Sequence, residues 1–180
     1  EMSQLTAGLA AAAAGQGSAW LIGGESGVGK SRFLNELRIR ALVQGFQVLQ
    51  GQSVDDSISQ PYHLWREPLR HLIAMLPAID DLTAGILSAI LPEIAVLLGR
   101  PIPPPPLQDD DGARLRLFLT LAQLFAQVDQ PLLLILEDLH FADAGLLPLD
   151  HLLRRLPGQK LVILGSYRSD EEPKLPASLE

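Results

Sequence analysis

Residues 24–31 read Gly-Glu-Ser-Gly-Val-Gly-Lys-Ser, and this stretch constrains the fold more tightly than any other. Every fixed position of the pattern G-x-x-x-x-G-K-[ST] is filled. The apolar run Ala19-Trp20-Leu21-Ile22 leads into it and reads as a strand, and a helical pattern from Lys30 to about Val43 follows. A strand that turns through glycines into a helix N-terminus aims unpaired N–H groups and the positive end of the helix dipole at one place. That place suits an anion, and a nucleotide phosphate tail in particular.

The residue types fit that chemistry. Gly24, Gly27 and Gly29 let the backbone adopt positive φ and bring its N–H groups close to phosphate. Lys30 is a mobile point charge able to reach β- and γ-phosphate oxygens. Ser31 offers a small hydroxyl to Mg²⁺, a cation that takes oxygen ligands at short range. The candidate nucleotide-binding set is Gly24, Glu25, Ser26, Gly27, Val28, Gly29, Lys30 and Ser31, with Arg32 just beyond. Glu25 and Ser26 sit where side-chain identity is commonly free. A plain Gly-rich helix cap would not account for Lys30 and Ser31 together at this spacing.

The chain of 180 residues is long enough for one α/β domain with a core. Its net charge of −7 argues against a general nucleic-acid surface, which needs clustered Lys and Arg. It contains no cysteine, so disulfides and thiolate metal sites are excluded. The longest apolar run, Pro131 to Leu136, is far too short to span a bilayer, and Ala10 to Ala14 lacks the basic flank of a secretory signal. The expectation is a cytoplasmic protein with no membrane contact and no direct nucleic-acid contact. Both ends, Glu1-Met2 and Leu179-Glu180, read as cuts in a larger polypeptide.

Periodicity predicts a helix at 3–15, ended by Gly15-Gln16-Gly17, a strand at 18–23, a helix at 30–44 with Phe33, Leu34, Leu37, Ala41 and Leu42 on one face, and a strand at 46–50. Residues 53–112 form an insert, with helices at 62–76 and near 82–98. The run Pro101–Pro106 forces an extended connection, read as a rigid connector rather than a polyproline ligand for a partner. Asp109-Asp110-Asp111-Gly112 offers an N-cap to a helix at 113–128 whose apolar set includes Leu115, Phe118 and Phe125. Leu132–Leu136 is apolar without alternation, as in a parallel strand buried on both faces. A helix at 144–155 and a strand at 161–165 complete the pattern.

Glu137 and Asp138 close the apolar strand. Ligands of open α/β sheets bind outside the carboxyl ends of strands. Adjacent strand residues face opposite ways, so one acid is expected at the Mg²⁺ shell and the other at the attacking water. Glu137 is assigned to Mg²⁺ and Asp138 to water activation, with the roles exchangeable on register. Arg168, after the last strand, is placed to sense or stabilise γ-phosphate charge, against a surface pairing with Asp170 or Glu171. His140 is read as a packing or backbone-bonding residue, Asp143 as an N-cap, and Tyr62, His63 and Trp65 as core.

Gly-Gly-Glu-Ser-Gly-Val-Gly-Lys-Ser-Arg-Phe-Leu, Leu-Ile-Leu-Glu-Asp-Leu-His-Phe-Ala-Asp and Leu-Gly-Ser-Tyr-Arg-Ser-Asp-Glu occur in this order. Together they resemble the ATPase module of STAND-type signalling ATPases, a branch of the AAA+-related P-loop proteins. That module occurs in large bacterial LuxR- or SARP-type transcriptional regulators, some class III adenylyl cyclases and some serine/threonine kinases. The resemblance covers nearly the whole chain. Residues 5–14 match the helix after an opening Gly-Arg-Glu motif, of which Glu1 would be the last residue.

The resemblance implies a three-layer α/β/α P-loop fold with a mostly parallel sheet, the 160–165 strand lying between the loop strand and the 131–137 strand. It implies ATP/ADP and Mg²⁺ as ligands, Glu137 and Asp138 as the Walker B pair, and Arg168 as a sensor-like arginine. By the same likeness, a fifth strand, a helical lid and a winged helix lie beyond residue 180. The implied partners are nucleotide, C-terminal domains of the same polypeptide and, with nucleotide, further copies of the chain. This chain departs in having Glu137 where the family often has Asp and Phe141 where it often has Trp.

The function expected is a slowly hydrolysing, ATP-binding regulatory switch. A small-molecule kinase with its acceptor site in the 53–112 insert is the competing reading. It is poorly supported, because no arginine lies between Arg70 and Arg100 to form a lid over phosphates. A GTPase would need an Asn-Lys-x-Asp motif and an ABC-type ATPase a Leu-Ser-Gly-Gly-Gln signature, and neither occurs.

Overall fold

Five consecutive side chains without a polar residue, Leu132 to Leu136, are all buried. Burying both faces of one strand requires a layer on each side of its sheet. The computed structural model, which describes residues 2–54, 61–142 and 144–170, has that arrangement. Strands β1 (Ser18–Gly24), β2 (Gln47–Gln52), β3 (Leu132–Glu137) and β4 (Leu161–Arg168) form a parallel sheet in the order β1-β4-β3-β2. The 161–168 strand thus lies between β1 and β3, as the resemblance implied.

Helices α1 (Met2–Ala13) and α2 (Lys30–Val43) cover one face. Leu5, Leu9 and Ala12 of α1 and Leu34, Leu37 and Ala41 of α2 pack there on Leu133, Ile135, Val162 and Leu164. The opposite face carries α3 (Arg66–Met75), α4 (Asp81–Leu87), α5 (Ile94–Leu97), α6 (Asp110–Ala126) and α7 (Leu147–Leu153). Their buried side chains meet Leu132, Leu134, Leu136, Leu161 and Ile163. Alternate residues of β3 and β4 therefore feed two different cores, as the pleat demands.

Several boundaries move, each for a local reason. The helix expected near 82–98 splits into α4 and α5, because Pro92 cannot donate to a continuing helix. The helix expected at 62–76 opens with a 3₁₀ turn over His63–Trp65, preceded by Tyr62 at φ 68°. The helix expected at 113–128 begins at Asp110, where the Asp109 carboxylate accepts from the Gly112 N–H at 2.8 Å. The segment expected as a helix at 144–155 is a 3₁₀ turn followed by the shorter α7. Leu42 and Leu115, expected to be apolar contacts, are about half exposed.

The insert is tied to the sheet at particular points. Gly51 of β2 is approached so closely by the Leu64 carbonyl that an added Cβ would lie 2.1 Å from that oxygen. Trp65 is fully buried and its indole N–H donates to the Gly145 carbonyl at 2.6 Å. Tyr62 meets Phe118 edge to face at 5.8 Å. His63, expected in the core, is exposed. The proline run passes over α4, where Gly85 makes room for the Pro103 carbonyl. Arg66 and Arg70 of α3 both bind Glu93, Arg66 at 3.0 Å.

Leu134→Ala, at a fully buried position of β3, should lower stability by about 2–5 kcal/mol, read from urea unfolding. The Arg70 hydrogen bond, helped by backbone bonding and by Arg66, lowers the Glu93 pKa from 4.5 to about 2. A carboxylate with a depressed folded-state pKa stabilises above its unfolded value and loses that contribution as the pH falls through its folded value. The stability difference between the parent and Glu93→Gln should therefore shrink between pH 4.5 and about 2. A constant difference over that window in urea titrations would contradict the ion-pair geometry.

Candidate functional site

The carboxyl ends of β1, β4 and β3 lie side by side, and the register fixes what meets there. Gly24, the first loop residue, pairs with Arg168 across β1 and β4. The Ser169 N–H donates to the Gly24 carbonyl at 3.3 Å. Leu136 pairs with Gly165 across β3 and β4, which sets Glu137 level with Ser166, two residues before the end of β4. The buried Ser166 hydroxyl accepts from the Asp138 N–H at 3.4 Å.

The glycine loop is built as its residues dictate. Gly27 and Gly29 have φ of 80° and 102°, and no atom lies within 4 Å of a Cβ built at either. The loop is open where those glycines turn, and residues Glu25 to Gly29 are exposed. Gly24 is constrained differently, since a Cβ there would meet Val28 Cγ1 at 2.9 Å. Gly29 is the N-cap of α2 and has no side-chain cap, so the first N–H groups of that helix are presented at the loop. Lys30 folds back over the loop, its Nζ donating to the carbonyls of Gly24 at 2.5 Å and Glu25 at 2.8 Å. Ser31 and Arg32 are exposed on the first turn of α2.

The two acids are arranged differently from the alternation expected of a strand. Glu137 ends β3, and Asp138 turns at once into the left-handed region, φ 57°. Alternation stops there, and both carboxylates are met from one side of the neighbouring edge strand. Gln50 Nε2 donates to Glu137 Oε1 at 2.5 Å, and Gln52 Nε2 donates to Asp138 Oδ2 at 2.8 Å. Gln50 and Gln52 are two apart on β2 and so share a face. Sequence reasoning missed both glutamines. The available signal was a polar pair at i, i+2 near the end of a strand.

Past Asp138 the chain makes a single 3₁₀ turn, Leu139–Phe141. Leu139 is buried against Gly165, where an added Cβ would come within 2.6 Å of Leu139 Cδ1. The His140 and Phe141 rings lie 4.0 Å apart, which agrees with a packing role for His140. The Arg168 guanidinium lies over the Phe141 ring, 5.9 Å from its centroid. Asp143 and Glu171 lie outside the described residues, so the expected N-cap and one expected partner of Arg168 do too.

A cleft of about 600 Å³ runs from the loop along the open edge of β1. Leu5, Trp20, Ile22 and Phe33 wall it, and Lys30 lies at the loop end. Among the described residues no group of three or more His, Asp or Glu side chains is arranged to hold a metal ion. The Ser31 hydroxyl and the Glu137 and Asp138 carboxylates are oxygen donors of the kind that fits Mg²⁺, which keeps several waters and leans on substrate phosphates.

The sequence pattern described as AAA ATPase domain matches residues 1–164. The chain belongs to that family. Membership in the AAA ATPase family implies a nucleotide-binding module, usually one that works with Mg²⁺. Two solved structures resemble the chain at 15% identity: Drosophila ORC bound to GC-rich DNA and Cdc6, at a TM-score of 0.42, and Drosophila ORC bound to AT-rich DNA and Cdc6, at 0.40. The alignments cover 92% and 93% of this chain but 46% and 48% of theirs, so the chain spans about half the length of those proteins. No curated protein matches. No helix among the described residues is long and apolar enough to cross a membrane.

Gly29 tests the loop geometry without disturbing packing, because its would-be Cβ meets nothing. Gly29→Ala should lower stability by about 1–2 kcal/mol through backbone strain alone. An unchanged urea midpoint would show that the backbone does not hold positive φ there.

Proposed function

We propose that the chain is an ATP-binding, slowly hydrolysing regulatory switch of the STAND type, one module of a larger cytoplasmic signalling or transcriptional regulator. The observation that carries the reading is the pairing of Gly24 with Arg168 beside the strand that ends in Glu137. The loop, the acids and the arginine thereby share one edge of one sheet. The module comprises residues 1–180, with the helical and proline-rich insert at 53–112 as part of it.

In this reading the ATP base lies in the apolar cleft along β1 and its phosphates lie over the glycine loop. Lys30 leaves the Gly24 and Glu25 carbonyls for the β- and γ-phosphates, and the free N–H groups at the start of α2 turn to phosphate oxygens. Ser31 and Glu137 would hold Mg²⁺, which spreads the phosphate charge when bound. Asp138 orients and deprotonates the attacking water, and Arg168 faces the γ-phosphate. Gln50 and Gln52 engage the acids that this chemistry needs. Their release is an added step before hydrolysis, which supports slow turnover. The readout is a change in packing against C-terminal domains of the same polypeptide or against further copies of the chain, with no direct contact to nucleic acid by this module.

A calorimetric titration with ATP, ADP and GTP, with and without Mg²⁺, tests the reading beside Lys30→Ala. Adenine nucleotides should bind in preference to GTP, and Lys30→Ala should lose that binding while keeping the parent's unfolding midpoint, since the Lys30 ammonium donates to carbonyls of an exposed loop and not into the core. Equal binding by the variant would remove the loop from the mechanism. Fast steady-state turnover in a longer chain, indifferent to any effector, would count against a switch.

A further inference from the structure

The aromatic ring after the acidic pair touches the arginine that would read the γ-phosphate. Phe141 ends the 3₁₀ turn that begins at Asp138, with its N–H donating to the Asp138 carbonyl at 3.0 Å. The left-handed φ of Asp138 directs that turn across the carboxyl edge of the sheet. Leu139 pins the turn against Gly165 of β4, and Arg168 lies three residues further along the same strand. The Phe141 ring and the Arg168 guanidinium meet at 5.9 Å, within the range in which a ring face attracts a cation. Both side chains are only partly buried, so the contact is free of the packing constraints of a core.

We propose that Phe141 is a positioning residue for Arg168. Its ring fixes the plane and reach of the guanidinium beside the first loop residue, and thereby sets how well the module distinguishes a nucleoside triphosphate from a diphosphate. This inference rests on the nucleotide-binding reading above. A flat ring suits the task because it restrains a guanidinium from its face and leaves the N–H edge to polar partners. The ring also follows the acids by a single turn. A shift of Asp138 is therefore transmitted to Arg168 through three residues, and the two halves of the γ-phosphate site move together.

The test measures ATP and ADP affinity by calorimetry in the parent, Phe141→Leu, Phe141→Trp, Arg168→Gln and the double variant Phe141→Leu/Arg168→Gln. Phe141→Leu should weaken ATP by about two- to fivefold, the worth of an exposed cation–ring contact, and leave ADP unchanged. Phe141→Trp should keep the parental preference. The double variant should bind ATP no more weakly than Arg168→Gln alone, because the ring acts only through the arginine. Side-chain protons of Arg168 should also show an upfield ring-current shift in the nucleotide-free parent that is lost in Phe141→Leu. Equal weakening of ATP and ADP, full additivity in the double variant, or an unshifted Arg168 resonance would each overturn the role. Lys30-dependent binding in the parent with indifferent Phe141 variants would overturn this inference alone. Binding that does not depend on Lys30 would bring down the nucleotide reading and this inference with it.

Discussion

Parallel pairing of β1, β4 and β3 is the constraint on which the rest of the molecule depends. Strands β3 and β4 are buried on both faces, so neither can carry a polar side chain along its length without a partner. Polar chemistry is confined to their ends. All four strands run the same way, so the ends that follow the buried runs lie on one edge. Gly24 lies more than a hundred positions from Glu137 and Arg168 in the chain, yet the sheet register brings all three to one edge.

The charged groups on that edge are satisfied internally. Lys30 has two carbonyls, Glu137 and Asp138 each have a glutamine amide, and Arg168 has an aromatic face. The carbonyls and amides that meet Lys30, Glu137 and Asp138 are neutral. A neutral partner satisfies a charge without cancelling it, so every one of these contacts can be exchanged for a stronger one with phosphate or a divalent cation. The opposite layer touches the same region, because the Trp65 indole reaches Gly145 just after the acidic turn and Gly51 lies under the Leu64 carbonyl. The insert is thus packed against the strand that carries Gln50 and Gln52.

Local residues made much of this legible. Gly27 and Gly29 turn with positive φ as read, whereas Gly24 closes β1 without it because it still pairs with Arg168 as a strand residue. The unbroken run at 132–136 and the extended proline run at 101–106 appear where they were read. Failures fall where two local rules compete. Pro92 divided a segment whose apolar spacing alone suggested one helix, and Asp138 left the strand whose alternation was expected to place it. Leu42 and Leu115 have core-like identity but lie on faces that stay about half exposed among the described residues.

By itself, the sequence determined the fold class, the strand–loop–helix unit and the acids that end a buried strand, because those depend on backbone conformation and burial within a few neighbouring residues. Only the tertiary structure decided which side chains answer the charges. Gln50 and Gln52 stand 87 and 86 positions from the acids they bind, and the ring under Arg168 comes from the adjacent strand's exit turn. Such pairings depend on strand order and register, quantities set by the packing of all the layers at once and carried by no single segment of the chain.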